Sequence, residues 1–453
     1  MPQGTLHADL APIFGDAPVQ QPKREFLLPP APVPAESTRI AGMRVLVIGG
    51  GIGGCVTAMA LAARGLEVTV YESVRELAPL GVGINILPHA MAVLRDLELL
   101  DTLVPLGVQT AELAFFNRHG QLIWREPRGL TAGYDVPQIS VHRGQLHLAL
   151  FEAAQQRLPA DAMRTGHTLT AFTAGDHNTL PTATFENRFT GEAVHDRADV
   201  IVACDGIHST VRKHLVPGQD EPNWSGNVLW RGATRHPGFL SKRSMFMAGH
   251  LPHKFVAYPI TEPDADGMQT VNWIAELNRS SEGLSGREAW NKKVDKSLFA
   301  DRFADWKFDW LDIPALIEQT GDVFEFPMVD RDPLEQWTSG RLTLLGDAAH
   351  PMYPIGSNGA SQAILDAAVL SSALVSHNSP IDALHAYEEI RRPATSRIVL
   401  SNRQHGPERV LDMAEERSPN GFRAVSEVFA PGELESISAQ YKQVAGFTPP
   451  TPQ

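Results

Sequence analysis

The chain of 453 residues has only two cysteines, Cys55 and Cys204, far apart and each within an apolar run. That scarcity excludes a disulfide-stapled secreted scaffold and a Cys-x-x-Cys redox pair, while a single bond between the two stays open on sequence alone. A reducing, cytoplasmic setting is expected. No His/Cys cluster has metal-ligand spacing, so no metal is implied. Basic residues are also scarce: 39 Lys and Arg against 52 Asp and Glu give a formal charge of −13. A phosphate backbone needs a basic surface, so no nucleic-acid partner is expected. No apolar run reaches the roughly 18 residues of a membrane span. The nearest, Val45 to Leu61, carries five glycines and suits a βα turn. The first forty residues fit neither a signal peptide nor a transit peptide.

What is present is a globular composition, 43% hydrophobic and 20% charged, long enough for two or three packed units. Residues 1–40 form a Pro-rich arm, densest at Pro29 to Pro34, read as extended or flexible. Phe14, Phe26, Leu27 and Leu28 could instead anchor it. From Arg44 the pattern becomes βαβ: a strand Arg44–Ile48, a small-residue helix Cys55–Arg64 and a strand Glu67–Tyr71. Further strands run over Asp199–Cys204 and Arg341–Leu345. An aromatic-rich stretch, about Trp224 to Phe326, holds β-like runs at Phe255–Tyr258 and Val271–Ile274. Beyond Ser357 the chain reads helical to near Ala445, interrupted around Pro419-Asn420-Gly421.

Gly49-Gly50-Gly51-Ile52-Gly53-Gly54 matches the G-x-G-x-x-G dinucleotide fingerprint between strand and helix, with Glu72 ending the next strand. Gly49 permits the tight turn, Gly51 lets backbone approach a pyrophosphate, and Gly54 lets helix and strand pack closely. Ile52 and Gly53 open the helix, whose free N–H groups and positive dipole end suit phosphates. Glu72 should accept from ribose hydroxyls. The motif alone does not choose between FAD and NAD.

Two further segments do. Asp205-Gly206-Ile207-His208-Ser209-Thr210-Val211-Arg212 resembles the D-G-x-x-S-x-V-R segment of the flavoprotein aromatic hydroxylases. Gly346-Asp347-Ala348-Ala349-His350-Pro351 resembles that family's G-D-A-A-H-x segment. The physical reading agrees: Asp347 can accept from a ribityl hydroxyl, and Pro354-Ile355-Gly356-Ser357-Asn358-Gly359 lets backbone lie close to an isoalloxazine ring. The helix that follows can turn its positive end to the flavin N1–C2=O edge. By resemblance, Gly81-Val82-Gly83-Ile84 borders the flavin, Arg143 reaches it, and Asp205 lies near the nicotinamide approach; a turn-capping role is the alternative for Asp205. Ser357 stands where the family usually has glycine or another small residue. Val136-Pro137-Gln138, Trp230-Arg231-Gly232, Met328 to Leu334 and Asn358 to Asp366 look closest to the phenazine-modifying branch, and the likeness covers about residues 42–445.

The resemblance implies an α/β chain, α+β overall. A Rossmann-like FAD-binding domain (41–115, 137–218 and 322–380) carries an inserted β-sheet substrate domain (116–136 and 219–321) and a C-terminal helical segment (381–453). It implies NADH or NADPH as a visiting reductant, since the chain has one dinucleotide motif, and O2 as co-substrate through a flavin C4a-hydroperoxide. The substrate is expected to be a small aromatic or heteroaromatic molecule, carboxylated fused rings included, with decarboxylative hydroxylation as an alternative outcome. Monomer and homodimer both stay open. Substrate-facing candidates are Trp230, Arg231, Tyr258, Trp273 and Pro354, Arg231 for a carboxylate; an internal ion pair for Arg231 and plain core packing for the aromatics are the alternatives. No catalytic residue is nominated, and His89, His250 and His350 are read as structural. Rivals are a flavin oxidase or reductase and a flavin-binding sensor. Halogenase, disulfide reductase and Baeyer–Villiger motifs are missing from the sequence.

Overall fold

The computed structural model describes residues 42–79, 82–218, 221–281 and 292–446, so the Pro-rich arm and Gly81 lie outside the described residues. The strand Arg44–Ile48 is apolar on both faces, and its Val45 to Ile48 are all buried. A strand of that kind needs cover on both sides, which a central place in a parallel sheet supplies. It pairs in parallel with Glu67–Tyr71 on one side and Val200–Ala203 on the other. Leu342–Leu344 and Met163–Arg164 extend the sheet, and a short antiparallel strand, Thr338–Ser339, completes its six strands.

The helix Ile52–Ala62 is buried from Gly54 to Leu61 because it packs against Arg143–Arg157 and Gly359–Ser376. A three-stranded antiparallel sheet, from His167 to Arg197, joins the same core by stacking Phe185 on Tyr71 at 3.8 Å. The stretch Ile355–Ser376 is long and apolar enough to cross a membrane, yet it is mostly buried between other helices, as core helices are.

A second, eight-stranded mixed sheet runs in the order Lys292–Val294, Val323–Asp330, Asn223–His236, Gln269–Asn278, His253–Pro259, Ser244–His250, Glu112–Phe116, Leu122–Pro127. This shifts two expected boundaries. Glu112–Phe116 pairs with Ser244–His250, and Val323–Asp330 pairs with Asn223–His236, so both belong to this sheet and not to the nucleotide unit. Side chains alternate between its faces. Trp230, Phe246, Phe255 and Trp273 meet Phe299, Phe303 and the helix Ile313–Gln319 on one side. Met245, Met247, Val256 and Tyr258 share a core with Val410, Leu411 and Leu434 of the C-terminal helices on the other.

Candidate active site

The nucleotide turn is specified by close approach. Gly49 has φ +100°, and a Cβ there would sit 2.4 Å from the Cys204 carbonyl oxygen. One on Gly54 would sit 2.0 Å from the Gly49 carbonyl oxygen, so that glycine is what lets the helix meet the turn. Gly53 lies against Ala363 and Leu345, a helix-packing position. A Cβ on Gly51 would meet nothing within 4 Å, and the helix beginning at Ile52 has neither a side-chain cap nor an acid in its first turn. An open, uncapped helix end of this sort fits a pyrophosphate. Glu72 is buried at the end of the neighbouring strand, with Oε2 accepting from Gly50 N–H at 2.7 Å and Oε1 from Val74 N–H at 2.7 Å. It therefore braces the turn from below. His147 meets the Gly50 carbonyl at 2.6 Å, a support that no local sequence signal announced.

Asp205 does cap a turn, accepting through Oδ2 from Thr210 N–H at 2.8 Å. Its Oδ1 is buried with no partner, and burial raises the carboxyl above its ordinary value. Both readings of this residue thus keep an oxygen apiece. Arg212, at the end of the same motif, donates to the carbonyls of Ala349 at 2.8 Å and Asp332 at 2.7 Å. The second and third motifs are stitched together by that guanidinium.

Gly346 turns the chain with φ +62°. Asp347 follows, exposed into a recess and accepting no hydrogen bond among the described residues. Crowding by protein raises its carboxyl, against the pull of His350 and Arg143. A Cβ on Gly359 would have the Asp347 carboxylate, at 4.0 Å, as its nearest neighbour, so the recess is open on that side. Gly359 also starts an 18-residue helix with no side-chain cap and no acid in its first turn. Pro354 is exposed at the head of the loop.

Two loop residues meet the C-terminal helix. A Cβ on Gly356 would lie 2.0 Å from the Tyr441 hydroxyl, so this glycine makes room for the C-terminal helix Glu433–Ala445. Asn358 is fully buried and donates to Tyr441 Oη at 2.8 Å. Ser357 adopts φ +57°, a left-handed conformation uncommon for a side chain with a Cβ.

On the sheet side, adjacent residues of one strand separate. Trp230 is fully buried, stacks on Phe299 at 5.0 Å and donates to Glu325 at 2.9 Å. Trp273 lies in the same inner core, bonded to Thr234 and Thr320. Neither faces the flavin motifs. Arg231 points the other way, donating to the Gly83 carbonyl at 2.7 Å with Phe326 beneath its guanidinium at 5.8 Å. Burial lowers its pKa, with Tyr258 opposing and Arg143 adding to that effect. No carboxylate pairs with it among the described residues. Gly83 is flanked by Tyr258 and Asn272, and the neighbouring Ile84 is half-buried in the same strand. Arg143 is exposed at the start of its helix, its N–H bonded to the Val82 carbonyl at 2.8 Å.

A family model described as an FAD-binding domain matches residues 42–401. The chain belongs to that family. Phenazine 1,6-dicarboxylic acid hydroxylase of Lysobacter antibioticus is 42% identical over 374 residues, 79% of this chain and 89% of that protein. A 3-amino-4-hydroxybenzoate 2-monooxygenase of Streptomyces platensis is 33% identical, over 81% of this chain and 88% of its own length. The 6-hydroxynicotinate 3-monooxygenase of Pseudomonas fluorescens is 30% identical, over 78% and 89%. The fold is that of Klebsiella pneumoniae HpxO complexed with FAD and uric acid, with a TM-score of 0.66 at 21% identity over 89% of this chain and 92% of that one. The protein is an FAD-dependent aromatic monooxygenase, similar to the phenazine-modifying branch.

Several supports of this flavoprotein site carried no local sequence signal. Asp366, wholly buried, receives His350 Nε2 at 2.6 Å, Arg391 Nε at 2.6 Å and the Gly346 N–H at 3.1 Å. Burial alone would raise its carboxyl, but His350 and Arg391 outweigh that and hold it at about 2. His350 thus holds the buried carboxylate behind the Gly346 turn. His89 is half-buried, and desolvation, with the Arg391 charge, holds it at about 3. His250 lines a separate surface cavity with His405, Asp412 and Glu415. The described residues contain no metal-binding cluster.

Proposed function

We propose that this protein hydroxylates a carboxylated aromatic or heteroaromatic ring, using NAD(P)H and O2, with the substrate carboxylate held by Arg231. One observation carries the reading: Arg231 is half-buried, its guanidinium Nε wholly so, on the flavin-motif side of the sheet, bonded to a carbonyl and to Tyr258 and supplied with no carboxylate of its own among the described residues. A buried cation without a counter-ion is costly, and a bound anion relieves it through charge-assisted hydrogen bonds. Three relatives, named for a phenazine dicarboxylic acid, an aminohydroxybenzoate and a hydroxynicotinate, support the same class.

FAD, when bound, supplies the electron transfer and oxygen activation. In this reading the open end of the helix at Gly51 takes the pyrophosphate, Glu72 the adenosine ribose, Asp347 the ribityl chain and the uncapped helix at Gly359 the polar edge of the ring. Asp205 Oδ1 and Arg143 flank that position, and Gly83 to Ile84 form its border. Tyr258 and Phe326 bound the substrate side with Arg231, and their apolar surfaces exclude water.

Asp347→Ala should weaken FAD retention by roughly tenfold or more, as expected for one charge-assisted hydrogen bond of about 1.5–3 kcal/mol. Flavin fluorescence on dilution measures it, and a dissociation constant equal to wild type would remove Asp347 from the ribityl role. Arg231→Ala should weaken carboxylated ligands by 2 kcal/mol or more, roughly thirtyfold, and neutral analogues far less. An equal loss for both would sink the carboxylate anchor.

NAD(P)H oxidation with candidate acids, with peroxide and product mass followed in parallel, tests the whole. A product heavier by one oxygen supports hydroxylation, and one that has also lost its carboxylate supports the decarboxylative route. Peroxide formed in place of an oxygenated product favours an oxidase, and no turnover favours a sensor.

A further inference from the structure

Two donors on this face of the sheet are buried with nothing to bond. Asn272 is fully buried, and its Oδ1 accepts from Gly83 N–H at 2.6 Å. That contact fixes the amide's orientation, since an N–H meets only the oxygen. Asn272 Nδ2 is then left without an acceptor. Arg231 reaches the same glycine, donating to its carbonyl at 2.7 Å, and Arg231 Nε is also without an acceptor. One residue of the border strand thus locates both side chains. Tyr258, directly opposite Asn272 on the neighbouring strand, packs against that glycine as well. Buried donors in native structures are almost always satisfied, and the exceptions point to a partner that arrives from outside the chain.

We propose that Asn272 is a specificity-determining residue whose Nδ2 donates to an uncharged acceptor of the substrate, a ring nitrogen or ring carbonyl beside the carboxylate taken by Arg231. The division follows from the donors. A guanidinium is charged and forked and matches a carboxylate, whereas a primary amide N–H is neutral and suits a neutral acceptor. A carbocyclic ring in the same pose sets a C–H against the amide and leaves it unsatisfied. The preferred substrate is therefore a fused-ring acid with a ring nitrogen peri to the carboxylate. This rests on the aromatic-acid reading above.

The test uses two acids of equal shape and charge, phenazine-1-carboxylate and anthracene-1-carboxylate, which differ in ring nitrogen against C–H. Each is titrated into the FAD-loaded full chain, and the dissociation constant is read from the perturbed flavin absorbance. The aza acid should bind roughly tenfold tighter. The preference should fall to about one in Asn272→Ala and in Asn272→Asp, which keeps an oxygen for Gly83 but loses the donor, with FAD retention unchanged in both. Equal affinities in the wild type overturn the proposal without touching the aromatic-acid reading, and need no variant to fold. A preference that survives both substitutions overturns it as well. FAD loss in step with the substitutions would assign Nδ2 to the flavin instead. If neither acid perturbs the flavin, the aromatic-acid reading falls and this proposal with it.

Discussion

Asp366→Ala is expected to remove about 3–5 kcal/mol of folding stability, the usual result of stranding the partners of a buried ion pair. Globular domains have only about 5–15 kcal/mol in total, so the variant should be near its limit at ordinary temperature. The loss has three parts. His350 and Arg391 each lose a 2.6 Å contact, and the Gly346 N–H loses its acceptor at 3.1 Å. The last part reaches the site, because Gly346 sets the turn that presents Asp347. FAD affinity should therefore fall together with stability, even though Asp366 is wholly buried behind the turn.

Asp366→Asn separates the charge from the shape. The wild-type carboxyl is held near 2, below its ordinary 3.8, so its contribution is fully present above 3.8 and lost as pH falls toward 2. That depression corresponds to roughly 2 kcal/mol. Denaturant midpoints measured across this range should show a shallower acid loss for Asp366→Asn than for wild type. Parallel curves, or an alanine variant as stable as wild type, would show that the His350–Asp366–Arg391 cluster does not hold the turn.

The parts of this fold that could be read from sequence are those specified by contiguous residues. A buried strand, a glycine turn and a small-residue helix lie in one uninterrupted segment from Arg44 to Ala62, and the same holds for the turns at Asp205 and Gly346. What stayed hidden depends on which face a strand presents, or on segments far apart. Trp230 and Arg231 are neighbours in one strand, so strand parity alone prevents both from facing one cleft. Composition could not say which of the two does. The 2.6 Å contact from Gly83 to Asn272 spans 189 positions, and Asn358 meets Tyr441 across 83. Such partners leave no local periodicity behind. Glycines mislead in a related way: a missing side chain marks a close approach but not what approaches.

Gly356→Ala carries the second large effect and decides what approaches there. The residue has φ +68°, and its added Cβ would meet the Tyr441 hydroxyl at 2.0 Å. Left-handed strain costs an alanine about 1–2 kcal/mol. Overpacking a filled site adds about 1–3 kcal/mol, so a total near 2–5 kcal/mol is expected. The damage should spread through Tyr441, which also bonds Asn358 at 2.8 Å and Asn402 at 3.2 Å, and loosen the helix Glu433–Ala445. Amide hydrogen exchange in that helix should rise several-fold at equal FAD saturation. Ser357→Gly is the matching control: it relieves a φ of +57° but frees the unfolded chain, and the two effects nearly cancel. If Gly356→Ala instead impaired FAD binding while the helix kept its wild-type protection, the glycine would belong to the flavin after all. Protection lost in the helix before any loss of flavin would tie it to Tyr441.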